Sequence, residues 1–104
     1  MGKKKVIWAE AAVRDLDKIL IYYEERNGNA VFSKRLLHEF KKLTKLIQQN
    51  NFLGRPVESK DASLRVFVLG NYLMFYEIRK DIIEIKLVWD NRQNPAEIPD
   101  TKQR

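Results

Sequence analysis

The sequence predicts a small α+β domain in the order β-α-α-β-β-β: an N-terminal strand, an antiparallel helical hairpin and a small antiparallel sheet. Three observations predict it. Apolar residues recur at helical spacing through the first half of the chain. Apolar and β-branched residues dominate the second half in short runs, and a Gly-Asn pair divides those runs at hairpin spacing.

Lys4 to Ala9 reads as a strand, with Val6 and Ile7 followed by Trp8. From Ala11 the period changes: Ala12, Leu16, Ile19, Leu20 and Tyr23 share one helical face, with Arg14, Asp15, Asp17 and Lys18 around the rest. Asn27-Gly28-Asn29 ends this helix, Gly28 suiting the left-handed C′ position and Asn29 able to cap the next helix. A second helix is expected from about Ala30 to Gln49, on the stripe Phe32, Leu36, Phe40, Leu43 and Ile47. So short a link folds the two helices back on each other.

Gln48 to Ser63 is polar, contains Gly54 and Pro56, and reads as a loop. Leu64–Leu69, Tyr72–Arg79 and Ile82–Trp89 come next as strands, with Gly70-Asn71 and Lys80-Asp81 as the turns. Two-residue turns put Phe67, Leu69, Tyr72, Met74, Tyr76, Ile78, Ile83, Ile85, Leu87 and Trp89 on one face, Arg65 at its margin. The other face then carries Leu64, Val66, Val68, Leu73, Phe75, Glu77, Glu84, Lys86 and Val88. The first face suits the helices, and the second is expected to stay partly open to a partner. After about residue 95 the polar, proline-containing tail is expected to fray.

A length of 104 residues is that of one domain, residues 1–104, with a core of modest extent. There is no cysteine, so neither a disulfide nor a thiolate metal site is available, and no metal or other cofactor is expected. The apolar stretch after the first lysines is too short for a signal peptide or a membrane span, which makes the cytoplasm the expected compartment. The 20 Lys and Arg against 14 Asp and Glu leave a net charge of +6, which favours a nucleic acid or an acidic protein as partner. Much of that charge forms a ridge on the second helix: Lys34, Arg35, Lys41, Lys42 and Lys45, opposed by Glu39 alone.

The element order and three segments resemble the RelE/ParE toxin superfamily. "EAAVRDLDKILIYYEE" is similar to the family's first helix, "LRVFVLGNYLMFYEI" to its Leu-Arg, turn and tyrosine hairpin, and "IEIKLVWDNRQNP" to its last strand and basic exit. Together they span roughly residues 4 to 95. The resemblance implies a toxin silenced by a cognate acidic antitoxin. It implies one of two targets: mRNA in the translating ribosome, cut by the RelE branch as an endoribonuclease, or DNA gyrase, inhibited by the ParE branch. A non-toxic basic RNA- or DNA-binding module on the same scaffold is the alternative.

Metal-free RNA cleavage needs a base, an acid and a cationic clamp for the phosphoryl group. Arg65, matching the Leu-Arg motif, and Arg92, matching the basic exit, are the candidate catalytic clamps. Arg55 and Lys60, in the loop before the sheet, and the helical ridge are candidate nucleic-acid contacts. Both arginines are expected near the surface, and Tyr72 and Tyr76 in the core with tethered hydroxyls. His38, in mid-helix, lies outside the region that carries the family's site. Ribosome-dependent members carry an arginine where this chain has Val68 and a tyrosine among Asn94 to Ile98. Other nucleases of the family carry a histidine where it has Trp89. These departures thin the acid and base set and lean the reading towards gyrase.

Overall fold

The computed structural model describes residues 3–58 and 61–98. Strand β1 (Lys5–Trp8) leads into helices α1 (Glu10–Asn27) and α2 (Val31–Gln49), followed by β2 (Arg55–Glu58), β3 (Asp61–Leu69), β4 (Tyr72–Ile78) and β5 (Ile82–Asp90). A 3-10 turn, Pro95–Glu97, comes last. The five strands form one mixed sheet in the order β1-β5-β4-β3-β2. The neighbouring pairs are antiparallel except that β1 runs parallel to β5.

The helical hairpin forms as its apolar stripes predict. Gly28 adopts φ 71° and its N–H closes on the Glu24 carbonyl, the left-handed ending that glycine adopts without a Cβ penalty. Asn29 Oδ1 then accepts from the Val31 N–H at 3.0 Å. Ala12, Leu16, Phe40, Leu43 and Ile47 are buried against Tyr72, Met74, Tyr76, Ile83 and Ile85 of the sheet, and Val88 belongs to the same core. Ser33, itself buried, donates to Glu24 at 3.0 Å and pins the two helices near their turn.

Three expectations are corrected. The first concerns the loop before the sheet, where Arg55–Glu58 is a fifth strand on the outer edge and β3 begins at Asp61 rather than Leu64. A proline is tolerated there because an edge strand leaves some N–H groups without a ladder partner. The second concerns register. Phe75 faces Leu87 but its neighbour Tyr76 faces Ile85, so Lys86 is an extra residue in β5 and forms a β-bulge. Beyond it every side chain changes sides. Val88 and Asp90 join the helix face, while Leu87 and Trp89 move to the other face.

The third correction concerns that other face. Val66, Phe75 and Leu87 are buried there, with Leu73, Trp89 and Ile98 packed against them. After β5 the chain forms the 3-10 turn Pro95–Glu97, and Ile98 beyond it packs against this face; the tail expected to fray lies, from residue 99 on, outside the described residues. Val68 stays half exposed. Among the described residues no helix is long and apolar enough to cross a membrane.

Candidate functional site

The bulge at Lys86 creates the site by carrying Asp90 round to the helix side of the sheet. There it pairs with Tyr72, the first residue of β4. A cavity of about 320 Å3 opens at this end between α1 and the exit of β5, lined by Lys18, Tyr22, Tyr23, Tyr72, Asp90 and Arg92 among others.

Asp90 and Arg92 form the polar half. Arg92 Nε donates to Asp90 Oδ1 at 2.9 Å and its Nη2 to Asp90 Oδ2 at 2.7 Å, a two-pronged pair that fixes the guanidinium plane. The Arg92 backbone N–H also donates to Asp90 Oδ1, at 2.9 Å. These bonds from Arg92 hold the Asp90 carboxyl below the usual carboxylate range, against partial burial that pushes it up. Asp90 and the Tyr23 hydroxyl in turn keep Arg92 firmly protonated.

The tyrosines form the other half. Arg92 Nη2 donates to the Tyr23 hydroxyl at 3.0 Å, and the Tyr72 hydroxyl donates to the same oxygen at 3.0 Å. Accepting from both, Tyr23 is drawn below the ordinary phenol range, the bond from Tyr72 first among the causes. Tyr72 is pushed well above it, by burial first and then by the bond to Tyr23. The Tyr23 ring is held by Tyr22 edge-on at 5.0 Å and by Phe32 at 4.5 Å. Four groups from α1, β4 and the β5 exit therefore form one fixed chain: Tyr72, Tyr23, Arg92, Asp90.

Arg65 lies elsewhere. It sits on the helix face of β3, as expected, but it is buried with only 9% of its surface exposed, which overturns the near-surface expectation. Its Nε donates to the Gly54 carbonyl at 2.6 Å, and its guanidinium lies 5.1 Å from the Phe52 ring centroid. The Tyr76 hydroxyl, from the facing position on β4, donates to the Asn51 carbonyl (2.9 Å) and accepts the Gly54 N–H (2.8 Å). Arg65 and Tyr76 thus tie down the loop between α2 and β2. Gly54 permits this closeness: a Cβ there would meet the Val66 carbonyl at 2.7 Å and Tyr76 Cε1 at 2.9 Å.

Of the residues expected from sequence, Arg92 is in the cluster and Arg65 is not. Arg55 is exposed on edge strand β2, and Lys60 lies outside the described residues. Lys34, Arg35, Lys41, Lys42 and Lys45 are all exposed along the outer side of α2, as is His38. Tyr72 and Tyr76 are buried with tethered hydroxyls, as expected. Sequence reading missed Tyr23 and Asp90 as site residues. The signal available was the Asp-x-Arg spacing, which lets one carboxylate grip the arginine two positions on.

The fold and this polar cluster define a small α+β domain with a tyrosine–arginine–aspartate chain at one end of its sheet. The family model described as "ParE toxin of type II toxin-antitoxin system, parDE" matches residues 6–95, and the chain belongs to this family. Among solved structures it is similar to a chain of the chromosomal ParDE toxin–antitoxin system from P. aeruginosa. The TM-score is 0.68 at 19% identity, covering 83% of this chain and 94% of that one. A search of curated proteins found no match.

Proposed function

We propose that the chain is the growth-arresting toxin of a type II toxin–antitoxin pair, and that it acts by binding and blocking DNA gyrase in the cytoplasm. One observation carries this reading: three of the four groups in the exit cluster are held in fixed charge states at neutral pH, which suits a binding surface better than proton transfer. A general acid or base works best with a pKa near the operating pH. Asp90 is displaced to the acidic side and Tyr72 to the alkaline side, while Arg92 is already clamped by Asp90 and Tyr23. Such a cluster offers a rigid polar surface to a partner protein. Arg92, half exposed, is the residue proposed to touch the target. Arg65 is proposed to act through the loop that it holds. The net charge of +6 suits an acidic antitoxin as the silencing partner.

A second reading has one observation in its favour. The Tyr23 hydroxyl, lowered towards ionisation beside a guanidinium in a cavity, is a candidate base for RNA cleavage in the ribosomal A site. Both assays on one preparation separate the two. Loss of gyrase supercoiling with intact mRNA on programmed ribosomes supports gyrase. Efficient A-site cleavage that disappears in Tyr23→Phe, with gyrase untouched, overturns it.

A further inference from the structure

The opposite end of the sheet carries a second feature that the exit cluster does not use. Ile82 and Asp90 bound β5, so the two ends lie roughly 26 Å apart at about 3.3 Å per residue. At the Ile82 end an open groove of about 750 Å3 is lined by Lys3, Lys80, Gln49, Asn50 and Phe52, among others, with Asp81 its one carboxylate. Lys4 helps to shape it, its Nζ donating to the carbonyls of Arg79 (2.8 Å) and Lys80 (2.6 Å).

Phe52 is the unusual member. Its side chain sits on a surface loop with 64% of the residue exposed. Yet the loop is rigid. The Phe52 N–H donates to Asn50 Oδ1 at 3.2 Å, and Tyr76 and Arg65 bind the backbone on either side. The Arg65 guanidinium lies against the ring, fixing its plane. Two buried side chains of the core therefore hold an exposed aromatic ring in one orientation beside a cationic groove.

The groove also continues the α2 ridge. On a 3.6-residue period Lys34, Lys41, Lys42, Lys45 and Gln49 share the face turned away from the core, and that line runs about 22 Å at 1.5 Å per residue. It ends at Gln49, in the groove's lining.

We propose that this track binds a short single strand of nucleic acid, its phosphates along the α2 lysines and at Lys3 and Lys80, with one unpaired base stacked on Phe52. Lysines give the sequence-independent attraction to phosphates, an exposed ring gives the π-face for a base, and the amides of Gln49 and Asn50 line the same groove. A duplex keeps its bases inside and cannot use the ring.

The site is separate from the gyrase reading, and its test needs no gyrase. Anisotropy of fluorescent twelve-nucleotide oligo-dT and oligo-U, with purified full chain, should show salt-dependent binding, and the preferred oligomer identifies DNA or RNA as the source. Phe52→Ala should weaken it roughly tenfold to a hundredfold while Phe52→Tyr does not. Lys80→Ala should reduce the slope of log affinity against log salt by about 0.7. Circular dichroism checks that each variant is folded. Absence of binding at low salt overturns the proposal, as does equal binding of duplex DNA or poly-glutamate, or affinity unchanged in folded Phe52→Ala and Lys80→Ala.

Discussion

The phenol of Tyr72 donates its hydrogen to the phenol of Tyr23 across 3.0 Å, joining β4 to α1 directly beside the end of β5. Donor and acceptor are distinguished by their surroundings: Tyr72 is buried and held neutral, while Tyr23 is turned towards Arg92 and ionises more readily. The two phenols therefore bias stability in opposite directions. The raised group, Tyr72, stabilises the fold fully below the ordinary phenol pKa of about 10 and loses that effect as pH rises through its higher native value. The lowered group, Tyr23, contributes above about 10 and loses its contribution as pH falls through its lower native value. Tyrosinate absorbance of the native protein should show Tyr23 as the first of the pair to ionise. The early component should vanish in Tyr23→Phe; superimposable curves would refute the assignment.

Asp90→Asn tests the carboxylate. A lowered pKa means that Asp90 stabilises the fold above the ordinary carboxylate value of about 3.9 and loses this as pH falls through its lower native value. The pair is solvent-screened, with Arg92 half exposed, so the stability loss at neutral pH should be small. What should change is the acid limb of a melting-temperature profile, which becomes flatter in the variant. An unchanged acid limb would mean that Asp90 does not take part in it.

Arg65→Ala and Arg92→Ala should both relieve growth arrest, for different reasons. Arg65 is buried and bonded to the Gly54 carbonyl, so its loss should destabilise the fold by about 1.5–3 kcal/mol. Arg92→Ala should melt close to the parent yet fail to block its target. Growth at low temperature, where a weakened fold recovers, should restore toxicity to the Arg65 variant alone. Recovery in both, or in neither, would remove this division of roles.

Gly54→Ala should destabilise by about 1–3 kcal/mol, because the new methyl meets a backbone carbonyl and a fixed tyrosine ring. For a domain of this size that is roughly 4–8 °C of melting temperature per kcal/mol. Gly28→Asn is the control. Its φ of 71° and ψ of 11° lie in the left-handed region that asparagine tolerates, and nothing lies within 4 Å of the new Cβ, so the loss should be smaller. Equal losses at the two glycines would contradict this account.

The helices, their Gly28 ending and the Gly70-Asn71 hairpin were legible because each depends on near neighbours in sequence. The bulge was not. Ile85, Leu87 and Val88 are all apolar, so nothing in the run marks where alternation breaks, and Lys86 reads as an outward residue although it is buried. That one extra residue decides which side Asp90 faces, and so the sequence pointed to Arg92 without its partner. Arg65 was misjudged for a related reason. Arginine usually faces water, and the Gly54 carbonyl that draws it inward comes from a segment read as plain loop. Arg55–Glu58 was missed because a proline in a polar stretch signals a turn unless an edge position is already known.

Strand β1 lies alongside β5 in parallel, Lys5 opposite Ile82 and Trp8 opposite Ile85. The ribosome makes the first strand well before its partner, at about 5–20 residues per second. A nascent chain that has completed both helices still has nothing for Val6 and Trp8 to pair with. Long-range strand pairing of this kind is slow because the intervening chain must be closed before any contact rewards it. The exit cluster depends on the same strand, since Asp90 ends β5 and Arg92 lies two residues beyond it. The polar chain proposed to recognise the target can therefore assemble only after β5 has been made. That interval leaves time for an antitoxin made nearby to meet the toxin before it is fully armed.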